Sequence, residues 1–223
     1  MEKYPKINII YEDNHILVVE KPINIPVQED STKDIDLLTI LKKYLKEKYN
    51  KPGNVYLGLV HRLDRPVGGV MVFAKTSKAA SRLSKSITTN DFHKTYYAVV
   101  TGNLKKEDKL VDYLKKNPKN NMSYVTNSKE GKLSILTYNL VAKKDNLNLV
   151  KINLLTGRSH QIRVQFASRN NPLVGDQKYN IKEKNNTQIA LFAQSITFPH
   201  PTTKELLTYT LPLPNRYPFN IFK

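Results

Sequence analysis

Asp64 is a carboxylate placed among arginines, and this arrangement could support chemistry. It lies in the stretch LVHRLDRPVGGVMVFAKT, residues 59–76, with Arg62 before it and Arg65 directly after it. Neighbouring cations favour the ionised form of a carboxylate. An ionised carboxylate can act as a nucleophile or as a general base, but it can equally brace a turn through an ion pair. The residues alone leave both interpretations of Asp64 open.

The residues around Asp64 suggest an open approach to its side chain. His61 lies just before the carboxylate, and Gly68 and Gly69 follow it, ahead of an apolar run. Because glycine has no side chain, we expect Gly68 and Gly69 to leave space for a ligand backbone or sugar. This interpretation assigns the two glycines to ligand access.

A second stretch, LLTGRSHQIRVQF, residues 154–166, combines an apolar strand with a basic turn. The chain is predicted to turn at Gly157 into a helix whose first turns carry Arg158, His160 and Arg163. A helix N-terminus favours anions, whereas cations stabilise the other end. The arginines therefore indicate a phosphate or carboxylate target, and Arg163 could also be the partner of an ionised Asp64. A salt-bridged surface helix is the alternative.

The stretch KTYY, residues 94–97, has the composition of a strand with two adjacent aromatic side chains. Successive side chains of a strand face opposite ways, so one tyrosine can line a cleft while the other packs inward. A tyrosine beside a basic groove could stack on a nucleic-acid base. The alternative is that both tyrosines belong to the core.

Familiar metal and cofactor motifs do not occur in the sequence. It contains no HExxH, P-loop, GxSxG elbow or strand-linked GxGxxG,. The acidic residues are isolated among basic ones, and the histidines are too scattered for helix-face ligand pairs: His15, His61, His93, His160 and His200. We therefore expect neither a metal nor a cofactor.

The elements that must position these residues are mainly strands. Apolar spacing predicts helices over residues 34–49 and 76–87, together with the helix after Gly157,. Strands are predicted over residues 7–22 as a hairpin, 55–60, 70–74, 94–102 and 147–155, with short strands such as SYVT and LSILTYNLV over 105–146 and more near the C-terminus. This pattern predicts an α+β fold with a mixed, mainly antiparallel sheet.

The charge balance favours a polyanionic partner. The 223 residues include 36 Lys and Arg against 19 Asp and Glu, a net charge of +17. Such an excess suits nucleic acid, although a lysine-rich solvated surface is the alternative. The sequence has no cysteine, no signal peptide and no long apolar run. We therefore expect a cytoplasmic protein without disulfides and without a membrane partner.

Five segments together resemble the RluA-like family of RNA pseudouridine synthases. They are HRLDRPVGGVMVFAK, KTYYAVV, LLTGRSHQIRVQF, NPLVGDQKY and ALFAQSITFPHP, in this order. The resemblance implies one catalytic domain over residues 1–223, built as two subdomains of an antiparallel sheet that flank a catalytic cleft. It also implies isomerisation of uridine in tRNA or rRNA to pseudouridine without a cofactor.

The family pattern assigns roles to the residues that match it. It implies that Asp64 is the catalytic carboxylate, that Arg62 displaces the target base and that Arg163 pairs with Asp64. It also implies that Tyr96 stacks on the uracil and is suited to handling a proton. The remaining RNA-contacting candidates are His61, Arg65, Arg158 and His160. The chain departs from the common pattern at Val67–Gly69, Ser159 and Gln165, which leaves the catalytic set intact.

The expected protein is a monomer that acts without an S4 RNA-binding module, because about six residues precede the first predicted strand. Recognition of RNA then depends on the basic surface of the catalytic domain. A non-catalytic RNA-binding or ribosome-assembly factor that keeps the fold is the alternative from another class. An RNA hydrolase is a third, which the missing metal motifs disfavour.

Overall fold

The structure is a computed structural model that describes residues 4–180 and 187–222. The chain divides into two compact units. Unit 1 consists of Met1–His93 and Ser195–Leu211, and unit 2 consists of Lys94–Gln194 and Pro212–Lys223. The candidate residues His61, Arg62, Asp64 and Arg65 belong to unit 1, whereas Tyr96, Arg158, His160 and Arg163 belong to unit 2.

Unit 1 is built on an antiparallel sheet in which strand β4 is fully apolar. Strand β4 is buried along its whole length and pairs with β2, for example Val18 with Val72. β2 also pairs with β1, and β3 with β4. The elements of this part of the chain are β1 (Asn8–Glu12), β2 (Ile16–Lys21), α1 (Leu37–Lys48), β3 (Gly58–Leu59), β4 (Gly68–Ala74) and α2 (Ser77–Thr88).

Side-chain caps explain where the helices of unit 1 begin. The Asp36 carboxylate accepts hydrogen bonds from the backbone N–H and the hydroxyl of Thr39, at 3.0 and 2.7 Å. The Thr76 hydroxyl accepts from the backbone N–H of Ala79 at 3.1 Å. Both contacts satisfy N–H groups that the first turn of a helix leaves unpaired. α1 and α2 therefore begin as the sequence predicts, within a few residues.

Unit 2 contains an antiparallel sheet of five strands in the order β5-β9-β8-β6-β7. Its inner face is apolar, and Phe166 of α3 packs against Tyr138 with ring centroids 5.3 Å apart. The elements are β5 (His93–Thr101), β6 (Glu107–Asn117), β7 (Met122–Thr126), β8 (Lys132–Lys144), β9 (Leu147–Leu154) and α3 (Gln161–Ala167). Strand β10 (Leu191–Pro199) runs from unit 2 into unit 1, where it pairs with β11 (Leu206–Thr210), and a short 3-10 helix covers Phe219–Phe222.

Three predicted elements differ from the structure. The strand expected over 55–60 is reduced to Gly58–Leu59. Over 105–146, the expected strands SYVT and LSILTYNLV match β7 and β8, but the preceding strand β6 is longer than expected, with 11 residues. The helix expected directly after Gly157 begins only at Gln161, because His160 has a left-handed φ of 53° that a helix cannot accommodate,.

The predicted α+β class with a mainly antiparallel sheet is confirmed. Every strand pair named above is antiparallel. None of the helices within residues 4–180 and 187–222 is long and apolar enough to cross a membrane. The same residues contain no group of three or more His, Asp or Glu side chains that could hold a metal ion.

Candidate active site

Asp64 lies in a tight turn between two buried anchors. The flanking residues Leu63 and Val67 are buried, while Asp64 itself is half-buried and Arg62 is exposed. The backbone N–H of Val67 donates to the carbonyl of Asp64 at 2.9 Å, which closes the turn. The carboxylate therefore stands on a backbone that is held on both sides.

The buried side chain of Lys21 holds this turn through hydrogen bonds to its backbone. This side chain is 1% exposed, and its ammonium donates to the carbonyls of Pro22, Arg65 and Val67 at 2.9, 3.0 and 2.7 Å. An ammonium has three N–H donors, so these carbonyls satisfy all of them. Burial lowers the pKa of Lys21 to about 7, against the negative charge of Asp64, which raises it. Lys21 thus holds the turn by hydrogen bonds, and its pKa depends on the nearby charge of Asp64.

Gly68 serves strand packing, which corrects the expectation that it gives a ligand access, whereas the same expectation for Gly69 stays a prediction. Both are buried, and a Cβ on Gly68 would lie 3.1 Å from the carbonyl oxygen of Lys21 and 3.1 Å from Ile23. Gly69 pairs with Lys21 across β2 and β4 and has a φ of 134°. Gly68 thus has little room for a side chain, and Gly69 has a backbone conformation that favours glycine.

Arg65 is engaged by the loop between β2 and α1. Its guanidinium contacts Asp34, donates to the Thr32 hydroxyl at 3.0 Å, and donates to the carbonyl of Asn24 at 3.2 Å. Asp34 is more than half exposed, so this is a surface contact that orders a loop. In this arrangement Arg65 fastens the Asp64 turn to the preceding segment.

His61 is directed into unit 1. Its Nε2 accepts a hydrogen bond from the backbone N–H of Val72 at 3.2 Å, and its ring lies 5.4 Å from that of Phe92. Phe92 in turn stacks on Phe198 at 5.2 Å. His61 therefore links the approach to Asp64 with the core strand β4. Its predicted contact with RNA stays a prediction.

Arg163 forms a buried, two-pronged ion pair with Asp176. Nε and Nη2 of Arg163 donate to the two carboxylate oxygens at 2.8 and 2.7 Å, and the arginine side chain is 4% exposed. Asp176 also accepts from the backbone N–H groups of Lys178 and Tyr179. This fork geometry fixes the plane of the guanidinium, because one of its edges is committed to Asp176.

The residues before α3 form an ordered loop. The Gln161 side chain accepts hydrogen bonds from the backbone N–H of Arg158 and from the Thr156 hydroxyl, at 3.0 and 2.8 Å. His160 Nδ1 bonds the hydroxyl of Tyr179 at 2.8 Å. That hydroxyl also accepts from the backbone N–H of Ser123 on β7. Arg158 and His160 therefore lie in a braced loop and not on the helix.

Tyr96 and Tyr97 face opposite sides of β5, as the sequence predicts. Tyr96 is 6% exposed and lies opposite the buried Ile152, whereas Tyr97 is half-buried and lies opposite the exposed Lys151. The ring of Tyr96 is thus held by the inner face of the unit 2 sheet. A rigid ring of this kind can serve as a stacking surface without a large entropy cost.

The residues that sequence reasoning missed are Lys21, Gln161, Asp176 and Tyr179. Each is a polar side chain that holds a predicted site residue or its loop in place. Their signals were present, since Lys21 precedes a proline at a strand end and GDQKY contains both Asp176 and Tyr179. The sequence could not show which partners these side chains meet.

Comparisons with known proteins identify the family. Residues 15–168 match the family described as RNA pseudouridylate synthase. The ribosomal large subunit pseudouridine synthase C of Buchnera aphidicola subsp. Baizongia pistaciae is 35% identical over 92% of this chain and 66% of its own length. The ribosomal large subunit pseudouridine synthase D of Blochmanniella floridana is 34% identical over 93% of this chain and 70% of its own length.

A solved structure supports the fold independently. The human RNA pseudouridylate synthase domain containing 1 protein superposes with a TM-score of 0.76 at 22% identity, over 97% of this chain and 88% of that chain. The chain described here belongs to the RNA pseudouridine synthase family, which confirms the resemblance seen in its motifs. It spans about two thirds of the length of the curated relatives it matches.

Proposed function

We propose that this protein isomerises uridine to pseudouridine in RNA, with ribosomal RNA of the large subunit as its substrate. Membership of the family supports the reaction, and the names of the two curated relatives support the choice of RNA. The net charge of +17 supports a polyanionic substrate,.

The observation that carries this proposal is the fixed carboxylate of Asp64. Its turn is closed by the Val67 hydrogen bond and held by two hydrogen bonds from Lys21, to the carbonyls of Arg65 and Val67. A group that attacks a sugar must be held in a near-attack geometry, and rigid support of this kind provides it. A carboxylate that only braced a turn would not need a buried lysine clamp beneath it.

The reaction breaks the C1′–N1 bond of the target uridine and forms a C1′–C5 bond to the same uracil. The proton on C5 leaves and N1 gains one, so the product is an isomer of the substrate. Asp64 either attacks as a nucleophile or removes a sugar proton, and both routes require its ionised form. Reaching a stacked nucleotide requires that the base flip out, which costs a few kcal/mol.

The other candidate residues take supporting roles in this proposal. The exposed Arg62 fills the space of the displaced base, and Tyr96 offers its ring to the uracil. Arg163, which the family pattern pairs with Asp64, is the cation of the proposed site, and its guanidinium is oriented by Asp176. His61, Arg65, Arg158 and His160 contribute RNA contacts or hold the loops that make them.

We further propose that residues 1–223 act as one catalytic domain, as a monomer in the cytoplasm, without a metal or organic cofactor. The chemistry supports this, because an isomerisation consumes no redox equivalents or activated donor. RNA that is being assembled into ribosomes is a cytoplasmic substrate in bacteria, the organisms of the two curated relatives.

The test compares wild-type protein with Asp64→Asn on a large-subunit ribosomal RNA transcript. We expect pseudouridine formation to disappear in Asp64→Asn while RNA binding persists, because the exchange removes the ionisable group and keeps the side-chain shape. The matched control is Asp145→Asn, the same exchange at an exposed hairpin turn whose left-handed φ of 53° suits asparagine,.

Normal turnover by Asp64→Asn would overturn the catalytic assignment. A wild-type protein that binds the transcript but forms no pseudouridine would point to a binding role instead. Mapping of pseudouridines in cellular RNA with and without this gene then identifies the modified position.

A further inference from the structure

Lys94 carries a charge that the proposed mechanism does not use. It is half-buried at the start of β5 and lies two residues from Tyr96, so both side chains belong to the same face of the strand,. Across residues 4–180 and 187–222, the ammonium of Lys94 has no hydrogen-bond or ion-pair partner. A half-buried cation without a counter-charge is costly, and this cost calls for an explanation.

Gly157 lies directly beside this ammonium. A Cβ built on Gly157 would lie 3.2 Å from Lys94 Nζ, which is its nearest neighbour. Gly157 and the following Arg158 are exposed, so the missing side chain leaves Nζ accessible from the surface of the loop. Any larger residue at this position would cover the ammonium.

We propose that the Lys94 ammonium, reached past Gly157, binds a phosphate of the RNA strand and so positions the nucleotide that Tyr96 receives. This inference rests on the proposed function. A compact ammonium binds phosphate as a point charge, and the oxygens of a phosphodiester supply the acceptors that the protein does not. The adjacent Arg158 adds positive charge at the same place.

The electrostatics of Lys94 agree with a ligand of negative charge. Burial lowers the pKa of Lys94. A phosphate beside Nζ would offset this effect, because a nearby negative charge favours the protonated amine. Binding of RNA would then return Lys94 to its fully charged form.

The primary experiment measures the salt dependence of RNA binding for wild type and Lys94→Met. The probes are poly(U) and a large-subunit ribosomal RNA transcript. Loss of one phosphate contact should flatten the plot of log affinity against log salt by about 0.7 for single-stranded RNA. It should also weaken binding at low salt by roughly tenfold, the loss expected for a charged hydrogen bond.

Lys151→Met is the matched control. Lys151 is exposed on β9, opposite Tyr97 and therefore on the other face of the same pair of strands. The exchange removes the same charge from the same unit. We expect Lys151→Met to keep the wild-type salt slope.

Gly157→Ala tests whether RNA must reach the Lys94 ammonium past Gly157, because this variant covers the ammonium but keeps its charge. Gly157 is not among the residues with a left-handed φ, so alanine fits its backbone, and the added methyl group meets only a flexible lysine tip. We expect this variant to keep its melting temperature, to bind RNA more weakly, and to add nothing further in combination with Lys94→Met.

The outcomes are distinct. An unchanged salt slope in Lys94→Met, or fully additive effects of the two substitutions, overturns the phosphate site. Reduced turnover with unchanged RNA binding also overturns it, because Lys94 would then act on the base. Because binding is measured without turnover, failure of the proposed reaction in the wild-type protein leaves this test intact.

Discussion

At the scale of single residues, Asp64 depends on a lysine that lies far from it in the sequence. Lys21 reaches the carbonyls of Arg65 and Val67 although 44 and 46 residues separate it from them. The charge of Asp64 in turn acts on Lys21. Because burial beside this turn lowers the pKa of Lys21, the pH dependence of stability reports whether the turn keeps Lys21 buried.

The first prediction concerns Lys21→Met. Burial lowers the folded-state pKa of Lys21 to about 7, from 10.5 in the unfolded chain. Between these values the unfolded state binds more protons, so stability rises with pH. From pH 7 to pH 9 this lysine should add about 2 kcal/mol to the free energy of unfolding, and Lys21→Met should lose that rise.

Urea unfolding at both pH values measures the effect, with the exposed Lys42→Met as control. Identical pH profiles for wild type and Lys21→Met would show that Lys21 does not titrate in this range.

The second prediction concerns Tyr96→Phe, which keeps the ring and removes the hydroxyl. We expect RNA affinity to stay within about twofold, because stacking needs only the ring. Turnover should fall by about a hundredfold if the hydroxyl handles a proton, the lower range of general acid–base contributions. Single-turnover kinetics on the ribosomal RNA transcript measure both quantities. Tyr97→Phe is the control on the opposite face, and a near-normal rate for Tyr96→Phe would leave Tyr96 as a stacking residue alone.

Sequence motifs predicted the charged residues at this scale but not their supports. Asp64 lies in HRLD and Arg163 lies in HQIR. These two motifs are specific enough in residue type and spacing to be recognised from the sequence. Asp176 is 13 residues from Arg163, and Lys21 lies in another strand hairpin. Such pairings depend on the packing of elements, which no local pattern encodes.

At the scale of elements, the ion pair between Arg163 and Asp176 joins α3 to the segment before residue 181. The third prediction concerns Asp176→Asn, which leaves the buried guanidinium without its charged partner. Removal of one member of a buried pair typically costs 3–5 kcal/mol, so we expect a loss of about 3 kcal/mol in this isosteric variant. Thermal or urea unfolding measures it.

Asp145→Asn serves again as the exposed control. Arg163→Lys should also destabilise the protein, because lysine cannot form two parallel hydrogen bonds. A variant Asp176→Asn with wild-type stability would mean that the pair contributes orientation and no net stability.

Glu12 connects β1 to α1 and to the end of β4. Its carboxylate accepts hydrogen bonds from Tyr44, Lys48, Tyr49 and Lys75 and is 6% exposed. Burial alone would raise the pKa of Glu12, but the hydrogen bonds outweigh it and lower the pKa to about 2.

The fourth prediction follows from that pKa. A folded-state pKa below the unfolded value of 4.5 adds stability above pH 4.5, and this contribution is lost as the pH falls towards 2,. Glu12→Gln should therefore lower the free energy of unfolding by about 3 kcal/mol at pH 7 and by little near pH 2. Chemical denaturation across this range measures the difference. An effect of equal size at both ends would assign it to packing.

Helices could be predicted from the sequence where the apolar spacing and the capping residue both indicated the same element. α1 and α2 have apolar spacing and a capping side chain, and both appear where expected. The start of α3 was wrong because His160 adopts a left-handed conformation that the Gln161 and Tyr179 contacts hold in place. Strand β6 is longer than expected because polar residues interrupt its apolar pattern.

At the scale of the whole molecule, the net charge of +17 predicts how RNA binding responds to salt. A protein that neutralises 6–10 phosphates loses about 10³–10⁵ in affinity between 50 and 200 mM salt. We expect a steep loss of this kind for the ribosomal RNA transcript, measured by filter binding. Turnover at saturating RNA should change much less, which serves as the control. A flat salt response would leave the lysines as a solvated surface.

The hydrogen bond from Ser123 to Tyr179 has a consequence for the behaviour of the protein at high concentration. β7 has only five residues, and the N–H of Ser123, which β6 does not use, is taken by a tyrosine hydroxyl, while the Ser123 hydroxyl donates to Ser159. Open strand edges are templates on which a second chain can add a strand, and short, covered edges resist this. The same tyrosine that holds the His160 loop thus protects this edge of the sheet from self-association.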